Sequence, residues 1–135
     1  MRVMLALLLS LAGPVCAQGL PSEEELTADT LLDAIAGRTV AMYSGATGGL
    51  VGLERFATRE RSYWRRSDGT CALGDVSVAE GLLCFRYDDK PGEKFCWQPL
   101  YHDGEPAVRL RGSGEVQIMR DAGDTPVDCT IVPTS

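Results

Sequence analysis

Few residues in this sequence could carry out acid–base or nucleophilic chemistry. His102 is the single histidine, and it stands next to Asp103 in a polar segment that reads His-Asp-Gly-Glu. A histidine and an aspartate can belong to a hydrolytic triad, but no pattern in the sequence brings a serine to them. Such neighbours in a turn usually both point to solvent. We therefore predict no catalytic residue and no enzymatic activity.

The acidic residues and cysteines do not predict a metal site. The cysteines are too far apart for a Cys-x-x-Cys zinc pattern. The acidic pairs, Asp88 with Asp89 and Asp121 with Asp124, lack the ordered ligands of an EF-hand. We expect no metal and no cofactor.

The first residues are typical of a secretory signal peptide. Arg2 precedes an apolar run from Leu5 to Leu11, and Val-Cys-Ala at the end of the segment resembles a cleavage site after Ala17. The run is too short to span a bilayer. We predict a cleaved signal peptide over residues 1–17 and a periplasmic or secreted protein. Lipidation at Cys16 is the alternative.

The charge balance bears on the class of partner. The net charge is −6, and removal of residues 1–17 would take away only Arg2, so the remainder is more acidic still. A strongly acidic chain argues against general nucleic-acid binding. We expect no nucleic-acid partner.

Two strand-like runs around residues 88–93 are the centre of the predicted fold. The intervening segment, Asp-Asp-Lys-Pro-Gly-Glu, has the composition of a turn. With Cys84 opposite Cys96, Leu83 faces Trp97 and Phe85 faces Phe95 on one side of the hairpin. A shift of one residue would separate these aromatic side chains. The cysteine pairing and the aromatic pairing therefore predict the same register.

The same reasoning extends over two more turns. Centring the next turn on Asp103 and Gly104 places Leu110 opposite Trp97, and centring the last on Ser113 places Ile118 opposite Val108. The predicted apolar face contains Leu83, Phe85, Tyr87, Phe95, Trp97, Val108, Leu110, Val116 and Ile118. The predicted polar face contains Cys84, Arg86, Lys94, Cys96, Gln98, Arg109, Arg111, Glu115 and Gln117. This sorting indicates an antiparallel meander.

Four cysteines after the predicted signal peptide suggest two disulfides, for which three connectivities exist. The register favours Cys84–Cys96, which leaves Cys71–Cys129, with Cys129 in a predicted short strand over residues 127–132. Bridges between adjacent strands are geometrically demanding. The alternative, Cys71–Cys84 with Cys96–Cys129, therefore stays open.

The fold prediction is a single all-β domain. Residues 18–26 are expected to be a loose segment, and residues 27–135 the disulfide-tied domain. Within it, Thr27 can cap a helix over residues 28–36 that packs at one end or edge. Strands are expected over residues 38–43, 50–56, 62–66 and 70–78 before the central hairpin. We predict five to nine antiparallel strands in a small open barrel or strongly bent sheet.

One set of motifs is similar to a known family. The helix followed by Ala-Gly-Arg-Thr-Val at residues 36–40, the Ser-Asp-Gly-Thr turn at 67–70, Gly-x-Val-x-Val at 74–78 and the Leu-Cys strand at 83–84 carry the similarity. Over about residues 27–120 the chain resembles small exported alphaproteobacterial proteins with the domain of unknown function numbered 995. The resemblance implies a small β-sheet domain and no catalytic residues.

Two functions fit this fold. The first is a non-enzymatic module that uses the predicted basic sheet face, Arg86, Lys94, Arg109 and Arg111, to bind a partner protein or an anionic component of the cell envelope. The second is a lipocalin-like carrier of a small apolar ligand. We rank it lower because the apolar face is expected to fill a small interior.

Overall fold

Eight antiparallel strands follow one short helix in the computed structural model, which describes residues 19–129. Each strand pairs with the next, and β1 pairs with β8, so that the sheet closes into a barrel and leaves no exposed edge. This confirms the all-β prediction. The strands are β1 (Thr39–Ser44), β2 (Leu50–Phe56), β3 (Arg61–Arg66), β4 (Cys71–Ala79), β5 (Leu82–Tyr87), β6 (Phe95–His102), β7 (Glu105–Leu110) and β8 (Val116–Asp121).

The helix α1 (Ala28–Ile35) closes one end of the barrel. Thr27 caps it, as predicted, by accepting a hydrogen bond from the Thr30 backbone N–H at 3.0 Å. Its apolar face, including Leu31 and Ile35, is fully buried in the core that the inward-facing strand residues form. We call the end of the barrel that α1 closes the helix end. The turns at residues 57–60, 80–81 and 103–104 also lie there. The other turns, at 45–49, 67–70, 88–94 and 111–115, form the opposite end, the mouth.

The register of the central hairpin is confirmed. Leu83 pairs with Trp97, Cys84 with Cys96, and Phe85 with Phe95. The next pairing is also as predicted, with Trp97 opposite Leu110. Asp103 and Gly104 both have positive φ, 48° and 81°, as a two-residue turn between antiparallel strands requires.

The predicted register between β7 and β8 is wrong by one residue. Ile118 pairs with Ala107 instead of Val108, because the turn closes between Leu110 and Glu115 rather than around Ser113. Val116 and Ile118 therefore lie on the outer face, while Glu115 and Gln117 lie on the inner side. The observed loop has four residues, 111–114, instead of the predicted three, and Gly112 and Gly114, with φ of 104° and 76°, permit its conformation.

Both preferred disulfides are present. Cys84 and Cys96 are bridged across β5 and β6, with 4.1 Å between their Cα atoms. Cys71, at the mouth end of β4, is bridged to Cys129. After β8 the chain runs outside the barrel, where Asp124 lies 3.8 Å from Arg55. Residues 127–129 do not form the predicted strand. Residues 130–132 and the predicted signal peptide, 1–17, lie outside the described residues.

The segment before the helix contacts the barrel. Residues Glu23–Glu25 form a 3-10 turn, and Leu20 and Leu26 pack against the core. The Tyr101 hydroxyl donates a hydrogen bond to the Pro21 carbonyl. Between residues 19 and 129, no helix is long and apolar enough to cross a membrane.

Candidate ligand-binding cavity

The barrel encloses a cavity of about 400 Å³ that reaches from the core to the mouth. Its walls are mainly aromatic and aliphatic, with a few polar groups near Glu54 and at the mouth. The deep lining residues are Met42, Val51, Glu54, Phe56, Trp64, Leu83, Phe85, Tyr87, Phe95, Trp97, Val108, Leu110, Gln117 and Met119. Seven of the nine residues of the predicted apolar face are among them, so that face is the lumen wall.

Aromatic rings form a continuous strip along one side of the cavity. Phe85 and Tyr87 are stacked, with centroids 5.8 Å apart and planes 5° from parallel. Phe56 meets Phe85 edge-on at 6.1 Å, and Tyr87 meets Phe95 at the same centroid distance. Contacts of this kind add to the stabilisation from burial, and they hold the rings in fixed orientations.

Glu54 is the deepest charged group of the cavity. It points inward from β2 and is only 5 % exposed. The Tyr87 hydroxyl donates to its carboxylate, at 3.1 Å from Oε2 and 3.3 Å from Oε1. Burial raises the pKa of Glu54 to about 7, although the hydroxyls of Ser62 and Tyr87 and the charge of Arg66 oppose that rise. Burial, and then the Glu54 charge, raise the pKa of Tyr87 well above its ordinary value.

A glycine on β4 lets Tyr87 reach Glu54. Pairing places Gly74 of β4 between Tyr87 of β5 and Ser62 of β3. A Cβ atom on Gly74 would lie 2.5 Å from Ser62 Oγ and 3.0 Å from Tyr87 Cε1. The tyrosine ring therefore occupies space that only a glycine at this position leaves free.

A second glycine makes room for an indole ring. Trp64 pairs with Glu54 across β2 and β3, so both side chains point into the lumen. A Cβ atom on Gly52 would lie 2.5 Å from Trp64 Cη2 and 2.3 Å from the Arg65 carbonyl oxygen. Gly52 therefore lets the indole lie against β2, next to the buried carboxylate.

The mouth of the cavity is polar. Arg66 points inward from β3 and forms an ion pair with Asp89, with Nη2 to Oδ2 at 2.7 Å. Gln117 donates a hydrogen bond from Nε2 to Glu115 Oε1 at 2.9 Å. Further lining residues at this end are Ser67, Asp68 and Lys90. A ligand must pass these groups to enter the apolar interior.

The four predicted binding residues lie outside the cavity. Arg86, Lys94, Arg109 and Arg111 are exposed, on or beside strands β5 to β7. In the described part of the chain, none of the four has a carboxylate within 4.0 Å. The expectation that Glu115 and Gln117 share this face is wrong, because both line the cavity.

His102 and Asp103, which the sequence analysis considered for catalysis, do not line the cavity. His102 Nε2 lies 3.5 Å from Asp103 Oδ2 at the helix end, where Asp103 is largely exposed. Residues 19–129 contain no group of three or more histidine, cysteine or acidic side chains that could hold a metal ion.

Sequence reasoning missed Glu54, Trp64 and the two wall glycines. The first strands were predicted without a register, so the inward side of β2 and β3 could not be assigned. A signal was present in the alternation of β2, because Gly52, Glu54 and Phe56 occur at every second position. An acidic residue between inward-facing neighbours is the pattern of a buried carboxylate.

No family model, curated protein or solved structure matches this chain. The resemblance to the domain of unknown function numbered 995 stays a prediction.

Proposed function

We propose that this protein is a non-enzymatic carrier that binds a small, largely apolar ligand inside its barrel. The observation that carries the proposal is the cavity of about 400 Å³, closed by α1 at one end and bordered by polar turns at the other. Ligand sites are typically concave, mostly apolar and a few hundred Å³ in volume, with few polar groups. Eight-stranded barrels either fill their interior or hold one small ligand.

Small inward-facing residues help to keep the lumen open. Gly52 and Gly74 let the Trp64 and Tyr87 rings lie against the wall instead of projecting across the lumen. The sequence ranking of the two functions assumed that the apolar face would fill a small interior. Because a cavity of about 400 Å³ stays open beside these rings, the carrier function becomes the better supported one.

A neutral apolar dye, N-phenyl-1-naphthylamine, tests the proposal. Its fluorescence should rise on binding to the wild-type protein. Val108→Trp, which fills the lumen, should abolish the rise, whereas Val116→Trp, on the outer face of the neighbouring strand, should preserve it. Equal binding by both variants, each shown to be folded by circular dichroism, would contradict a lumenal site.

An exported location is part of the proposal. Two disulfides support it, because such bridges form and persist mainly in oxidising compartments. The predicted signal peptide supports it independently. We propose a periplasmic or secreted carrier.

A second function is favoured by one observation, the four exposed cations on the outer face. Arg86, Lys94, Arg109 and Arg111 lack carboxylate partners within 4.0 Å in the described residues, and Glu115 lines the cavity instead. Such a face can bind an acidic protein or an anionic envelope component.

Capture of partners from a periplasmic extract tests this second function. Arg109→Glu with Arg111→Glu should remove any partner that is retained at low salt and released at high salt. Arg61→Glu is the control, because Arg61 is exposed but pairs with Asp75. Capture that survives both the double reversal and high salt would exclude the basic face.

A further inference from the structure

The buried carboxylate at the centre of the cavity indicates what kind of ligand the barrel takes. We propose that the ligand is an organic amine whose ammonium group pairs with Glu54 while its apolar body fills the lumen. This inference rests on the proposed carrier function and adds the chemical class of the ligand.

The hydrogen bonds of Glu54 leave part of its accepting capacity unused. A carboxylate offers about four acceptor positions, and the hydroxyls of Tyr87 and Ser62 can supply at most two donors. Among residues 19–129, no lysine, arginine or histidine nitrogen lies within 4.0 Å of Glu54. Arg66 acts on it only at longer range, because Asp89 holds its guanidinium. A buried carboxylate without a cation is unfavourable, so a cationic ligand gains from supplying one.

Aromatic side chains border the same position. Trp64 is the cross-strand neighbour of Glu54, and the ring of Tyr87 lies in the stack with Phe85. Cations are attracted to the faces of such rings, most strongly to tryptophan. An anionic head group would instead meet the Glu54 charge, and a neutral one would leave that charge unpaired.

The charge of Glu54 depends on pH in the neutral range, because its pKa is about 7. The groups that face it are Tyr87 from β5 and Arg66 and Ser62 from β3. Its neighbours on β1 and β4, Val40, Ala72 and Gly74, carry no charge. Above pH 7 the carboxylate is ionised while an aliphatic amine is still protonated, so binding of the amine should strengthen as pH rises from 5.5 to 8.

Three indole probes that differ only in the head group test the proposal in the wild-type protein. Tryptamine is cationic, indole-3-ethanol is neutral and indole-3-acetate is anionic at pH 8. Competition with N-phenyl-1-naphthylamine gives the affinity of each. We expect tryptamine to bind at least about tenfold more tightly than indole-3-ethanol at pH 8. Indole-3-acetate should bind most weakly, and the preference for tryptamine should largely disappear at pH 5.5.

Glu54→Gln separates the carboxylate from the shape of the cavity. The variant should bind tryptamine about as weakly as it binds indole-3-ethanol, whereas the wild type should prefer tryptamine. Tyr87→Phe, which keeps the carboxylate and removes its hydroxyl donor, should retain the preference for the amine.

The outcomes distinguish the two proposals. If the dye binds and wild-type protein does not prefer tryptamine over indole-3-ethanol at pH 8, the amine proposal is wrong and the carrier function stands. If neither the dye nor any indole binds, the carrier function itself fails. A preference that persists unchanged in Glu54→Gln would also overturn the role of Glu54.

Discussion

Because Glu54 is buried, the barrel becomes less stable as pH rises. Its pKa is about 7 in the folded protein and 4.5 when unperturbed. Between these values the unfolded chain releases a proton that the folded protein keeps, so stability falls as pH rises through this window. Below pH 4.5 both states are protonated and the penalty is absent.

Glu54→Gln should therefore stabilise the protein at high pH. We expect the free energy of unfolding to increase by on the order of 3 kcal/mol at pH 8 and to change little at pH 4. Urea unfolding of both proteins between pH 4 and 8 measures the difference. Parallel pH profiles for the wild type and the variant would show that Glu54 is not buried as described.

Gly74 controls the contact between Tyr87 and Glu54. An alanine there would bring a Cβ atom to 2.5 Å from Ser62 Oγ, so the Tyr87 ring or the strand must move. We expect Gly74→Ala to lower the free energy of unfolding by about 1–3 kcal/mol. Gly49→Ala is the matched control, because its Cβ atom would make only an ordinary contact at 3.4 Å.

Relief of the crowding provides a further check on Gly74→Ala. Adding Ser62→Ala removes the nearest atom and should restore part of the lost stability. If the double variant is as unstable as the sum of the single variants, the crowding is not the cause.

At the scale of elements, the helix closes the barrel and depends on its N-terminal cap. Thr27 and Thr30 bond reciprocally, with the Thr27 N–H to Thr30 Oγ1 distance at 2.8 Å. Thr27→Ala should lower the free energy of unfolding by about 1 kcal/mol, and Thr27→Ser should leave it nearly unchanged. Thermal unfolding measures both variants, and equal losses would indicate that the methyl group matters instead of the cap.

The strand pairings show how far sequence reasoning reaches. The register of β5 and β6 was predictable because a cysteine pair and three aromatic residues demand the same alignment, and that of β7 because the Asp103–Gly104 turn places Leu110 opposite Trp97. The register of β8 was not, because shifting it by one residue exchanges Val116 and Ile118 for Gln117 and Met119, and both sets contain apolar side chains. Hydrophobic pattern alone does not distinguish them. The geometry of the turn selects the register, because Gly112 and Gly114 adopt positive φ there.

For the whole molecule, the sequence predicted a small open barrel or strongly bent sheet with an end helix, but not the lumenal cavity. The positions of the Trp64 and Tyr87 rings depend on which glycines of β2 and β4 face inward, and that required the complete register. The four predicted cations were correctly expected to be exposed. Half of the deep lining residues were predicted to form the apolar face, and their role as a ligand wall follows only from the closed barrel.

The Cys71–Cys129 bridge should stabilise the molecule without shaping the cavity. It links residues 58 apart, and chain entropy gives such a loop up to about 4 kcal/mol. We expect Cys71→Ala with Cys129→Ala to lower the free energy of unfolding by up to this amount. Dye affinity of the folded double variant should be unchanged, because neither residue lines the cavity. A large loss of affinity without a loss of stability would contradict this separation.

The most direct test of a lumenal ligand is a map of its contacts by NMR. Nuclear Overhauser effects between bound N-phenyl-1-naphthylamine and the methyl groups of the protein report which face the ligand touches. We predict contacts to Met42, Val108 and Leu110 and none to Val116 or Ile118. Contacts to Val116 and Ile118, with none to Val108, would place the ligand on the outside and contradict the carrier function.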